Sequence, residues 1–107
     1  MDEFIGFRLD LYCDMVLKGK PSALIALQTR YIAEADIRIK ESYALKTFEQ
    51  PLSEGWTSLW IYKKDYMLEV IKNLPESPKT VFEHWVLGKA FGYSDESIAE
   101  FVKPLRN

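Results

Sequence analysis

Between Asp2 and Lys18 apolar residues recur every three or four positions. Phe4, Phe7, Leu11 and Met15 form one stripe, and Ile5, Leu9, Tyr12 and Val16 run beside it. This spacing predicts an amphipathic helix. Arg8, Asp10 and Asp14 fall outside the apolar face, which reads as a core stripe. A helix lying on a membrane would carry more Lys and Arg on its polar side. Gly19 is placed to take the left-handed conformation that closes such a helix.

A second helix is expected from Pro21 or Ser22 to about Ser42. Proline suits a first turn and serine a cap, and Leu24, Leu27, Tyr31 and Ala35 keep helical spacing. Alternation intrudes at Asp36-Ile37-Arg38-Ile39-Lys40. The pattern then changes. Leu45 to Glu49 and Thr57 to Tyr62 flank the turn-rich cluster QPLSEG at 50–55, and the second piece is rich in strand formers. A small antiparallel hairpin is expected there. Two strands alone are marginal in water, so helices must pack on them. Helical signals return in the last third. Asp65 can cap a helix bearing Met67, Leu68, Ile71 and Leu74 on one side. Thr80-Val81-Phe82-Glu83 fits the capping box. Ser94 can cap a final helix, Asp95 to Val102, whose first-turn Asp95 and Glu96 suit the positive end of the helix dipole, and Pro104 stops it. The expectation is a mainly α fold of about five helices with a small β-hairpin, in a single α+β domain spanning residues 1–107.

Composition narrows the class. With 107 residues, 48% of them hydrophobic, the chain has material for one core, and a net charge of −2 sets it apart from disordered chains. The same slight acidity counts against a phosphate backbone as the main partner. No apolar run approaches the roughly 20 residues that span a bilayer. The start Met1-Asp2-Glu3-Phe4 is acidic where a secretory signal is basic, so a cytoplasmic location without membrane insertion is expected.

Candidate chemistry is sparse. Cys13 is the single cysteine and His84 the single histidine. A thiolate–imidazole pair needs the two together and a third group to orient them, and nothing in the sequence supplies either condition. One His and one Cys are too few for a protein-closed zinc site, and no calcium loop or nucleotide-binding glycine motif occurs. No catalytic residue, cofactor or metal is therefore expected.

Two features remain. The stretch His84 to Lys103 follows the apolar template of a helix-turn-helix: Leu87 and Phe91 from the first helix, Gly88 at a close approach, Gly92 in the turn, and Ile98 and Phe101 facing inward from the second. The residues that would have to meet base edges, however, include Asp95, Glu96 and Glu100, where base readout uses Arg, Lys, Asn or Gln. A tight helical corner closing the core accounts for the same pattern. The other feature is aromatic. Trp56, Trp60 and Tyr62 share one face of the expected strand, while Leu59 and Ile61 share the other. Helices covering both faces would explain this, and so would a face that awaits a partner.

The block HWVLGKAFGYSDESIAEF at 84–101, with LWIY at 59–62 and LPESPKT at 74–80, resembles small uncharacterised proteins of Gram-positive bacteria and of their phages and mobile elements. The likeness covers about the C-terminal half. It implies a cytoplasmic bacterial or phage protein and carries no activity or site residues with it. The expected function is a non-catalytic protein–protein interaction module, a small regulator or inhibitor. Its contacts would be Trp56, Trp60 and Tyr62, and secondarily Asp95, Glu96 and Glu100, toward a protein partner or a second copy of the chain. The competing expectation is a DNA-binding regulator that uses residues 84–103.

Overall fold

The computed structural model describes residues 1–106. Five α-helices and three strands follow in the order α1 (Glu3–Leu17), β1 (Ser22–Gln28), α2 (Ile32–Tyr43), β2 (Lys46–Ser53), β3 (Trp56–Tyr62), α3 (Tyr66–Lys72), α4 (Val81–Ala90) and α5 (Asp95–Val102). Short 3-10 turns occupy Thr29–Tyr31 and Lys103–Arg106. The architecture is α+β, built on a three-stranded antiparallel sheet rather than a hairpin.

The sheet order is β1-β3-β2, which places β3 at the centre. The expected hairpin is present as β2 and β3, with Lys46 opposite Tyr62 and Phe48 opposite Trp60. Its turn is tighter than the QPLSEG cluster suggested. Strand β2 runs on to Ser53 with a register shift at Pro51, leaving Glu54-Gly55 to reverse the chain at Gly55 φ 77°.

The third strand corrects the sequence reading. Residues Ser22–Gln28, expected as the start of a helix, pair with β3 from Ser22 opposite Tyr62 to Gln28 opposite Trp56. SALIALQ contains good helix formers. It also alternates Ala23, Ile25 and Leu27 on one side, and all three are buried. Tertiary pairing overrides a weak local preference of this kind. The helix begins only at Ile32 and includes the alternating stretch 36–40, where Ile39 is buried and Ile37 faces out.

Two layers of helix cover the sheet. On one face α1 and α2 bury Leu9, Cys13, Val16 and Ile39 against Ile25, Leu59 and Ile61. The stripe expected to face this core does not. Leu9, Cys13 and Val16 point inward with Ile5 and Tyr12 beside them, while Phe4, Phe7, Leu11 and Met15 are exposed. Arg38 on α2 donates through Nε and Nη2 to the Asp10 carboxylate and reaches over Gly6, joining α2 to α1.

On the other face Trp60 and Tyr62 are buried with Met67 and Ile71 of α3, and Phe91 packs beside them. Helix α3 starts at Asp65 without a side-chain cap: its backbone is already helical, at φ −55° and ψ −38°, and its carboxylate pairs with Lys46. Helix α4 opens on the expected capping box: Thr80 Oγ1 accepts from the Glu83 amide at 3.1 Å, and Glu83 accepts from the Thr80 amide at 3.2 Å. Ser94 caps α5 by accepting from the Ser97 amide at 3.1 Å. Among the described residues no helix is long and apolar enough to cross a membrane.

Candidate functional site

Helices α4 and α5 meet at a corner made by two glycines. Gly92 turns the chain at φ 78°. A Cβ there would also lie 2.7 Å from Pro21, so only glycine lets the corner sit against the start of β1. At Gly88 the side chain of Ile98 rests directly on the α4 backbone, and a Cβ would meet it at 2.8 Å. The corner is fixed to the sheet by Ser22 Oγ donating to the Ala90 carbonyl at 2.6 Å and Lys20 Nζ donating to the Phe91 carbonyl at 2.7 Å. Both bonds satisfy carbonyls that the end of α4 leaves without a helical partner. Burial lowers the Lys20 pKa, and its ammonium lies over the Phe91 and Tyr93 rings.

A pocket of about 520 Å³ opens at this corner, lined chiefly by His84, Leu87, Phe91, Tyr93, Ile98 and Phe101. Its size lies within the roughly 300–1,000 Å³ of ordinary ligand pockets. Its floor is Phe91, which stacks on Trp60 with ring centroids 5.4 Å apart and contacts Tyr93 at 5.8 Å. Its outer wall is Phe101, 5.2 Å from the His84 ring. The sequence placed Phe101 inward, but it is 67% exposed, while Ile98 and Val102 are the α5 side chains that turn inward, Ile98 onto Gly88. Along α5 the acidic residues Asp95, Glu96 and Glu100 are exposed, Asp95 in an ion pair with Lys89. A second, shallower depression of about 490 Å³ lies on the other side of α4, between Tyr66, Val70, Trp85 and Lys89.

The aromatic residues of β3 take different roles from the ones expected. Trp60 and Tyr62 are each only 5% exposed, and the Trp60 indole donates to Gln50 Oε1 at 2.8 Å. They are interior packing residues. Trp60 reaches the surface indirectly, by holding the floor of the pocket through Phe91. Trp56, 42% exposed at the far end of the strand, is the one of the three open to solvent. The pocket itself was not foreseen as a site. Its signal in the sequence is the spacing of Phe91, Tyr93 and Phe101 around Gly92, of which the helix-turn-helix template places Phe91 and Phe101 inward.

Cys13 and His84 belong to different layers. Cys13 is fully buried beneath α1 on one face of the sheet, and burial, with the nearby Asp10 charge, pushes its thiol up to about 12. A thiol so held is protonated at neutral pH and is a poor nucleophile. His84 lies on α4 in the pocket wall, beyond the opposite face. Among the described residues no group of three His, Cys, Asp or Glu side chains is arranged to hold a metal ion. The arrangement at the α4–α5 corner offers apolar contact and aromatic edges, with exposed carboxylates elsewhere on α5, which are means of binding. No family model, curated protein or solved structure matches the chain.

Proposed function

We propose that this chain is a protein-binding module whose recognition site is the aromatic pocket at the α4–α5 corner, and that it acts by occupying its partner, as a small regulator or inhibitor does. The observation that carries this reading is the exposed Phe101 at the mouth of a preformed apolar pocket, on a helix whose other faces carry the exposed carboxylates Asp95, Glu96 and Glu100. Aromatic anchors in pockets supply most of the energy of protein interfaces, and rim charges supply selectivity. The ligand that fits is an amphipathic helix with one or two large apolar anchors and a basic flank.

Titration calorimetry with a Lys-flanked, Leu- and Phe-anchored helical peptide tests this. The native chain is expected to bind with an affinity that falls as salt rises. Phe101→Ser is expected to weaken binding by roughly tenfold or more, as loss of a hot-spot aromatic does, with an unchanged circular dichroism spectrum because the ring is exposed. Binding insensitive to Phe101→Ser would remove the pocket as the site. The nucleic-acid reading of residues 84–103 is tested in the same series with duplex DNA. The carboxylates at the start of α5 would repel it, and salt-sensitive binding to the duplex would favour that reading instead.

A further inference from the structure

Helix α1 is apolar on both sides. One side is buried against the sheet through Leu9, Cys13 and Val16. On the other, Phe4, Phe7, Leu11 and Met15 form a row open to solvent, with Phe4 70% and Phe7 68% exposed. A helix that is apolar all round is normally enclosed, and a contiguous exposed apolar row marks an interaction surface.

The charges beside the row indicate what covers it. Asp2 and Glu3 stand at its N-terminal end, and Lys18 stands at its C-terminal end, paired with Asp14 at 2.8 Å. Two α1 helices docked antiparallel about a two-fold axis place Phe4 beside Met15 and Phe7 beside Leu11 across the pair. The same arrangement sets each Lys18 against the Asp2 and Glu3 of the other copy and opposes the two helix dipoles. Parallel docking would stack like charge on like charge. A lipid surface fits less well, because Asp2, Glu3, Asp10 and Asp14 outnumber Arg8 and Lys18 along the helix and anionic headgroups would be repelled. The size is adequate. Each fully exposed phenylalanine offers roughly 150–250 Å², so pairing the rows with their flanks removes on the order of 1,000 Å² in total, near the lower bound for a specific interface.

We propose that α1 is a homodimerisation helix, pairing antiparallel with a second copy of this chain through Phe4, Phe7, Leu11 and Met15. The proposal is independent of the pocket reading, since α1 packs on the other face of the sheet from the Trp60–Phe91 stack. An interface of this size lies at the small end for specific contacts, where transient association is the rule, so a reversible dimer is expected.

Sedimentation velocity across a concentration series tests it. The native chain is expected to shift with concentration from its 12.5 kDa mass to twice that mass. Phe7→Asp is expected to raise the dissociation constant by at least about tenfold while circular dichroism stays unchanged, as removal of a central anchor does. Lys18→Glu is expected to weaken the dimer several-fold, and adding Glu3→Lys to restore it. A native chain monomeric at the highest concentration reached overturns the proposal. So does a dimer indifferent to Phe7→Asp, which uses another face. Recovery that fails in the Glu3→Lys, Lys18→Glu pair overturns the antiparallel geometry. A monomer that instead sediments with phosphatidylcholine vesicles assigns the row to lipid.

Discussion

Ala44 closes α2 in the left-handed region at φ 55°, with its amide donating to the Lys40 carbonyl at 3.1 Å. This is the position where helices most often carry glycine, because a Cβ is strained there. Ala44→Gly is therefore expected to stabilise the fold by up to about 1 kcal/mol in chemical denaturation. Asp10 shows the opposite kind of dependence, on a partner rather than on the backbone. The hydrogen bonds from Arg38 lower its pKa despite the cost of burial, with Tyr43 adding a further bond. The same carboxylate, after burial, helps push the Tyr43 phenol up to about 12. A carboxylate whose folded pKa lies below its unfolded value contributes stability above about pH 4, and that stability is lost as pH falls through the folded pKa. Arg38 and Asp10 are each over a third exposed, so solvent screening holds the effect to about 0.5–1 kcal/mol. Asp10→Asn is expected to lower stability by that amount at neutral pH and to flatten the acid limb of a stability–pH curve. An unchanged limb would show that the pair contributes nothing.

At the scale of elements, the helices and the sheet differ in how local their causes are. The capping box of α4 and the serine cap of α5 are written in consecutive residues, and both formed as the sequence indicated. The α4–α5 corner depends on Gly88 and Gly92, whose need is visible only once Ile98 and Pro21 are in place. Gly88→Ala must displace a β-branched, buried Ile98, and a loss of about 1–3 kcal/mol is expected from thermal unfolding. In the sheet, Trp60 is the residue whose removal costs most. Trp60→Ala empties the space between β3, α3 and Phe91 and is expected to cost about 3–5 kcal/mol. Trp56→Ala at the exposed end is expected to cost far less. Comparable losses at the two positions would contradict the placement of Trp60 as the support of the pocket floor.

Across the whole molecule, the sheet separates two surfaces with different chemistry. The α1 side presents an apolar row with opposite charges at its ends, a pattern complementary to itself. The α4–α5 side presents a concave aromatic pocket on a helix that also carries exposed carboxylates, the surface proposed above to take a basic helix. A dimer through α1 would carry two such pockets facing away from each other, so a partner bearing two basic helices would bind with avidity set by its own spacing. Dimer and pocket are separable in experiment: Phe7→Asp is expected to lower apparent affinity for a two-helix partner without changing affinity for a single-helix peptide. A loss of single-helix binding in that variant would show that the two surfaces are coupled.

Consecutive residues were enough for the helical nature of residues 2–18, the caps at Thr80 and Ser94, and the β2–β3 hairpin. These features depend on spacing along the chain and on cap and turn residues. What depended on distance in space was not legible. SALIALQ became a strand because β3 offered a partner for its backbone. Helix α1 has two apolar rows of equal periodicity, and only the small Gly6 beneath Arg38, with Cys13 buried in the core, shows which side meets the rest of the molecule. The pocket arose where Ile98 and Val102 turn inward, Ile98 onto Gly88, and Phe101 stays outside. In each case the local pattern allowed two placements of the same side chains, and close packing against the rest of the chain selected one.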